Sequence, residues 1–195
     1  MTGLGWLIIT VALTGVYTLV FLWRLPSFIV RLVIRGFARR IHSAPWNRIR
    51  GAYLAEAGND PIVLTSPDVV YVVGVFDVAN EPVCLNCRAP DWDTYWSLSL
   101  YALNTDNFYL RDASAAPGKW FRIIIAGPKG RHPGKNNEEV VVAPSTKGII
   151  MIRAVIQNRE NPADIERTLQ LLNATTLAPY SQIETPRPEH FVVAT

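Results

Sequence analysis

Two cysteines three positions apart form the most chemically suggestive feature of the sequence, in the run Cys84-Leu85-Asn86-Cys87. A CxxC pair can supply two metal ligands, form a redox pair, or attach haem when a histidine follows directly. Arg88 follows instead, and no second CxxC or paired histidines complete a four-ligand zinc site. If the segment is extended, the two side chains face opposite sides and cannot form a disulfide. We favour buried or turn thiols, and a local disulfide or a metal or redox role stays open.

Catalytic motifs are otherwise missing from the sequence. Neither G-x-S-x-G nor H-E-x-x-H occurs, and the three histidines lack the spacing of metal ligands. We therefore assign no catalytic, cofactor-binding or metal-binding residue. The lack of these motifs argues against an enzyme, although an enzymatic function stays open.

Aromatic and acidic residues gather around the centre of the chain. Four aspartates could line a cleft, although turn formation is their usual role: Asp91, Asp93, Asp106 and Asp112. By alternation, half of the nearby aromatic side chains should point into a core. The remainder could line a ligand groove or a partner surface, and the candidates are Trp92, Tyr95, Tyr101 and Tyr109.

The pattern from about Pro61 onward is that of β-strands. In Tyr95–Leu103, large apolar residues alternate with serines and tyrosines, which predicts a strand with one buried face. Short loops of Gly, Pro, Asn and Asp separate the predicted strands, and many such strands indicate an all-β antiparallel sandwich or jelly roll. The predicted strands are Val69–Val78, Pro82–Leu85, Tyr95–Leu103, Asn107–Leu110, Trp120–Ala126, Glu139–Val142 and Gly148–Gln157.

One helix is predicted after the strands. Asn161 can cap it, Pro162 suits its first position, and Ile165, Leu169 and Leu172 form a packing stripe. The following prolines indicate an extended tail over residues 179–195.

An uncharged apolar run, Leu4–Trp23, precedes all of this. Its length is what a helix needs to cross the roughly 30 Å hydrocarbon core of a bilayer. No basic residue precedes the run, and it is longer than the apolar core of a signal peptide. We therefore predict a retained transmembrane helix over residues 4–23.

A basic segment, residues 26–56, follows the predicted span. Pro26 suits the first turn of a new helix, and arginines then recur every four residues, which predicts an amphipathic helix in the lipid headgroup plane. The alternative is a helix packed against the protein's own domain. The residues assigned to the membrane interface are Arg24, Arg31, Arg35, Arg39, Arg40 and Trp46.

Charge is distributed unevenly along the 195 residues. The net charge is +3, yet no acidic residue occurs before Glu56, so the remainder is mildly acidic. That balance argues against a nucleic-acid partner and favours anionic lipid headgroups beside the span. The positive-inside rule predicts a cytoplasmic domain.

The region Ala57–Ala178 resembles the domain-of-unknown-function 1254 family. The residues that carry the resemblance are Val75-Phe76-Asp77-Val78, Glu81-Pro82-Val83, Tyr95–Tyr101, Asn104–Phe108, the Ile150–Gln157 strand and the Pro162–Leu172 helix. The resemblance implies a β-sandwich over residues 57–178 with no settled biochemical role. It also implies the short, membrane-anchored form of a bacterial family whose longer members carry a second β-domain, numbered 1214. Many of those relatives look exported, which implies a periplasmic domain instead.

Two functions are expected from these features. The first is a single-pass protein of the bacterial inner membrane whose β-domain is a non-catalytic accessory subunit of a membrane complex. Its partners would be the bilayer and other subunits, including a separately encoded 1214-type protein. The alternative is a membrane-tethered small-ligand binder or enzyme that uses the aromatic and Asp-rich strand ends.

Overall fold

A computed structural model describes residues 3–40, 46–54, 65–112, 114, 118–129 and 138–182, and within them the chain is mostly β-sheet. The helices are α1 (Gly3–Arg40) and α2 (Pro162–Asn173), and a 3-10 turn spans Tyr180–Gln182. The strands are β1 (Arg48–Ile49), β2 (Tyr53–Leu54), β3 (Val69–Asp77), β4 (Val83–Arg88), β5 (Trp96–Ala102), β6 (Asn107–Asp112), β7 (Trp120–Ala126), β8 (Glu139–Val142), β9 (Lys147–Val155) and β10 (Thr176–Pro179).

These strands form two sheets. The six-stranded sheet has the order β1-β3-β9-β5-β6, with β2 also paired to β3, and its pairs are antiparallel. The four-stranded sheet has the order β10-β4-β7-β8, and β7 and β8 run parallel. The β-rich class is confirmed, and each predicted strand has a counterpart whose ends differ by three residues or fewer. The predicted antiparallel pairing is wrong for β7 and β8, which run parallel.

The main core is a single cluster to which both sheets contribute. On β9, residues alternate between buried and half-buried, as expected for a strand with one face in the core. Trp96 and Phe76 are its largest side chains, and both are fully buried. Leu85 on β4 and Ile125 on β7 belong to the same cluster, so burial of apolar area stabilises the two sheets together.

Strand β5 differs from its prediction because both of its faces are buried. Leu98 and Leu100 point into the main core, and Ser97 and Ser99 on the opposite face are also buried. These serines are small and lie between longer neighbours: Ser99 stands opposite Leu110 on β6 and Met151 on β9.

Helix α2 begins as the sequence predicts. The Asn161 side chain accepts a hydrogen bond from the Ala163 amide at 3.1 Å, and Pro162 takes the first position. Leu172 is buried, and Ile165 and Leu169 are half-buried against the main core.

Helix α1 runs without interruption past Pro26, where the sequence predicts the start of a second helix. A proline inside a helix removes the hydrogen bond that its own N–H would donate and crowds the carbonyl of residue i−4, yet helical turns continue on both sides of Pro26. An apolar window within Gly3–Gly36 reaches a mean hydropathy of 2.0, and none of it is buried. The helix is therefore long and apolar enough to cross a membrane.

Candidate functional site

The stretch of α1 around Val30 and Ile34 is packed against the outer face of the six-stranded sheet. Val30 and Ile34, one helical turn apart, retain only 7% and 3% of their exposure and share a buried cluster with Val75 of β3. Ile149, opposite Val75 on β9, packs against this cluster. This is the arrangement given above as the alternative to a helix lying in the headgroup plane.

A different face of the same helical turns is apolar and exposed. Ile29, Leu32 and Val33 have the i, i+3, i+4 spacing of one helix face and are 49%, 50% and 41% exposed. Arg31 and Arg35 are exposed on a third face. Residues 29–35 thus have three faces: one packed on the sheet, one apolar and exposed, and one basic. We call the exposed apolar face, formed by Ile29, Leu32 and Val33, the outer apolar face.

The other residues predicted to contact lipid are placed as follows. Arg24 is exposed, and its guanidinium lies 5.2 Å from the centre of the Trp23 ring. Trp46 is half-buried against the cluster around Val75, with Lys147 Nζ 4.4 Å from its ring centre. Arg39 and Arg40 are the last two residues of α1.

A cavity of about 300 Å³ lies where β4, β7 and α2 meet. Arg88 ends β4, Trp120 begins β7, and the loop after β4 contributes Asp91 and Trp92. The α2 side contributes Arg167, Gln170, Leu171 and Ala174. We call this the Arg–Trp cavity.

Asp91 is the central charge of the Arg–Trp cavity. Its Oδ2 accepts a hydrogen bond from Arg88 Nη2 at 3.0 Å, and its Oδ1 accepts one from Arg167 Nη2 at 3.2 Å. Arg88 Nε also donates to the carbonyl of Gly118 at 3.2 Å. The Arg167 guanidinium carbon lies 3.8 Å from the centre of the Trp92 ring, a close cation–π contact. Both guanidiniums are thereby held beside one carboxylate, and that of Arg167 also lies over an aromatic face.

The four aromatic residues predicted to line a surface do not come together. Trp92 lines the Arg–Trp cavity, and Tyr95 is exposed just before β5. Tyr101 is half-buried near the other end of β5, and Tyr109 lies on β6. The aspartates are likewise dispersed: Asp91 lines the cavity, and Asp106 and Asp112 bond within or beside their own loops. The backbone carbonyl of Asp93 accepts a hydrogen bond from the side chain of Gln157, after β9.

Tyr109 belongs to a polar group that joins the edges of the two sheets. Its hydroxyl donates to Oε1 of Glu139 on β8 at 2.7 Å, and Arg111 of β6 pairs with the other carboxylate oxygen. Arg111 also lies over the ring of Phe121, 4.8 Å from its centre. Burial, and then the hydrogen bond to Glu139, raise the pKa of Tyr109 above its usual range.

Both cysteines are buried inside strand β4 and carry free thiols. Strand β4 continues to Arg88 rather than ending near Leu85, so the CxxC is extended and its two side chains face opposite sides of the sheet. Cys87 lies in the main core, and Cys84 is on the other face, its Sγ 3.8 Å from Asn86 Oδ1. Burial raises the pKa of Cys84 to about 11, against a smaller lowering by Arg122, and it raises the pKa of Cys87 further. Protonated thiols dominate near neutral pH.

In the described part of the chain, no group of three or more His, Cys, Asp or Glu side chains is placed to hold a metal ion. The residues that sequence reasoning missed are Arg88, Trp120, Arg167 and Gln170 of the Arg–Trp cavity. No local pattern distinguishes them, because Asp91 and Arg167 are 76 positions apart and only the fold brings them together.

Comparison with one solved structure shows a shared fold. The VPA0106 protein from Vibrio parahaemolyticus superimposes with a TM-score of 0.64 at 18% identity, over 90% of this chain and 41% of that one. An uncharacterised protein from Burkholderia cenocepacia gives a TM-score of 0.48 at 18% identity, over 78% of this chain and 40% of its own length. The chain therefore spans about two fifths of each of these proteins. Among curated proteins, none matches.

A family model matches residues 46–179, which include all ten strands, α2 and the Arg–Trp cavity. The matched range is well over half of the chain, and it contains the residues that carry the resemblance described above. The chain belongs to the family described as protein of unknown function DUF1254.

Proposed function

We propose that this chain is a membrane-anchored β-domain that acts as a non-catalytic interaction subunit of a membrane protein complex. The observation that supports the proposal is the outer apolar face, which stays exposed although another side of the same helical turns is packed against the domain. Ile29, Leu32 and Val33 are exposed there, while Val30 and Ile34 on the neighbouring face are buried.

Helix geometry supports a position of the outer apolar face beyond the lipid. If Leu4–Trp23 spans the hydrocarbon core, the Trp23–Arg24 contact lies at the interface, where both residue types are favoured. A helix rises about 1.5 Å per residue, so Ile29 and Val33 lie about 9 and 15 Å beyond Trp23. The headgroup region adds only about 5–8 Å on each side of the hydrocarbon core. Acyl chains therefore do not cover this face in an upright helix, and a protein surface is the better cover.

The chemistry of the helix indicates what such a partner offers. An apolar helix or sheet face would cover Ile29, Leu32 and Val33. Arg31 and Arg35 on the adjacent flank would contact acidic side chains of the partner. A 1214-type β-domain protein is the candidate that the family resemblance suggests.

The proposal also includes the arrangement of the two sheets and the location of the domain. We place the two sheets face to face as a sandwich of the jelly-roll type, held at the inner membrane of a bacterium. The arginines between Arg24 and Arg50 favour a cytoplasmic domain by the positive-inside rule. Protease added to sealed spheroplasts should leave the domain intact and should digest it in inverted vesicles; digestion in the spheroplasts would place it in the periplasm.

Photo-crosslinking in native membranes tests the interaction role. A photoreactive amino acid at Leu32 of the full chain should give one protein adduct of defined mass, and Ile29→Asp should abolish that adduct. The matched control carries the same photoreactive residue at Val142, an exposed apolar position on the edge strand β8. Adducts with lipid alone, or the same adduct from position 142, would contradict the proposal.

The second candidate function, a membrane-tethered small-ligand binder, is favoured by a different observation. The Arg–Trp cavity lies beside Asp91 and combines charged and aromatic walls, as ligand sites do. A change in the tryptophan fluorescence of the full chain on adding small metabolite-like anions, absent from a variant with a filled cavity, would support it.

A further inference from the structure

Charge is the first property of the Arg–Trp cavity that restricts its ligands. Its ionisable lining residues are two arginines and one aspartate, which leave one excess positive charge. A cavity with an unbalanced guanidinium attracts an anion and repels a cation of the same shape. One excess charge matches one ligand carboxylate.

The hydrogen-bonding capacity of the two arginines agrees with this. A guanidinium carries five N–H donors in a planar fork. Arg88 uses some of its donors on Asp91 and Gly118, and Arg167 uses one group on Asp91. The remaining donors are available to a ligand, and bidentate bonding to a carboxylate is the geometry that guanidinium favours.

Asp91 holds both donors in place before any ligand arrives. Its two oxygens bond one arginine each, at 3.0 and 3.2 Å. Arg167 is fixed on a second side by the Trp92 ring, 3.8 Å away. Side chains held in this way lose less entropy on binding, which is the advantage of a preorganised site.

The other walls select the body of the ligand. Trp92 and Trp120 present aromatic surface, and Leu171 and Ala174 present aliphatic surface. A volume of about 300 Å³ lies at the lower end of the range for ligand cavities, which suits a molecule with a single ring or a short chain.

We infer that the Arg–Trp cavity binds a small monocarboxylate with an aromatic or apolar body, its carboxylate held by Arg88 and Arg167 and its body against Trp92 and Trp120. This inference rests on the second candidate function and is independent of the interaction role. The competing explanation is purely structural: the two ion pairs tie the loop after β4 to α2. That explanation requires no ligand affinity.

Fluorine NMR on the full chain in lipid nanodiscs separates the two. The probes are para-fluorophenylacetate, its neutral amide, and para-fluorobenzylamine, with empty nanodiscs correcting for partition into lipid. The carboxylate should broaden and shift with saturation, and the amide and amine should bind about tenfold more weakly or not at all.

Two variants and a control assign the binding to this cavity. Arg167→Gln removes one guanidinium and should weaken carboxylate binding about tenfold or more. Ala174→Phe fills the cavity from an exposed position next to α2 and should abolish binding without disturbing the core. Arg159→Gln is the matched control, because Arg159 pairs with Asp68 outside the cavity.

Each outcome decides the inference. Saturable carboxylate binding that Arg167→Gln and Ala174→Phe reduce and Arg159→Gln spares supports it. Tighter binding of the amine or amide, reduced by Ala174→Phe, would overturn the carboxylate assignment and leave a ligand-binding role standing. Binding of no probe, or binding unchanged in both cavity variants, would overturn the inference and favour the structural explanation. The crosslink from Leu32 should survive in the Ala174→Phe variant, so the two proposals fail separately.

Discussion

The Tyr109 hydroxyl donates a 2.7 Å hydrogen bond to Oε1 of Glu139, and this bond joins the edge strand of one sheet to the edge strand of the other. Arg111 pairs with the same carboxylate from the strand of Tyr109. The group stabilises the contact between the sheets where no backbone hydrogen bond can do so, because β6 and β8 belong to different sheets.

Removing this hydroxyl should destabilise the domain. Tyr109→Phe keeps the ring and loses one bond to a carboxylate, so the free energy of unfolding should fall by about 1–2 kcal/mol in urea denaturation. Tyr95→Phe is the control, since Tyr95 is an exposed residue before β5, and it should change stability by less than about 0.5 kcal/mol. Equal effects of the two variants would show that the Tyr109–Glu139 bond contributes nothing measurable.

Tyr109 should also make the free energy of unfolding depend on pH. Burial and the bond to Glu139 raise the pKa of Tyr109 in the folded chain above its unfolded value of about 10. The stabilisation is therefore complete below about pH 10 and is lost as the pH rises toward the folded pKa. Urea denaturation at a series of alkaline pH values should show stability falling more steeply for the wild type than for Tyr109→Phe. Parallel curves would exclude this contribution; ionisation of the cysteines affects both proteins alike.

The two thiols should be unreactive in the folded protein. Because burial raises the pKa of both, few thiolates exist at about pH 8, and the side chains are inaccessible. Dithionitrobenzoate should react slowly with the native chain and rapidly in urea. A Tyr95→Cys variant supplies an exposed thiol that reacts quickly in the folded state. Without reductant, unfolded protein should still titrate two thiols, and a lower count would indicate a disulfide.

How far the sequence predicts this fold depends on the length of each pattern. Strand β5 is long enough to show a two-residue period, and α2 has its cap and proline, so both can be predicted from local sequence. Strands β1 and β2 contain only two residues each and have no period to detect. The path of α1 beyond Pro26 is a tertiary effect, because Val30 and Ile34 gain burial against β3 that no local rule includes.

Gly148 occupies a position where a side chain does not fit. A Cβ there would collide with the ring of Phe76 and the carbonyl oxygen of Tyr101. Gly148→Ala should therefore reduce the free energy of unfolding by about 1–3 kcal/mol or prevent folding. Gly36→Ala is the control, because an added Cβ at Gly36 meets nothing within 4 Å and alanine favours the helix. Thermal unfolding followed by circular dichroism compares them, and a neutral Gly148→Ala would contradict the tight packing of β3 against β9.

The anchor can be tested with two pairs of arginines at the same helical spacing. Leu13→Arg with Val16→Arg places two charges near the middle of Leu4–Trp23, each costing about 2.5–3.5 kcal/mol of insertion free energy. This variant should leave the membrane pellet after alkaline carbonate washing, whereas the wild type should need detergent. Ile29→Arg with Leu32→Arg repeats the spacing outside the proposed span and should stay in the pellet, even though it removes the outer apolar face. Mass spectrometry of the wild type isolated from the membrane should detect peptides from within Leu4–Trp23. Loss of the first two dozen residues, or release of the wild type by carbonate, would show that the apolar helix is not a retained anchor.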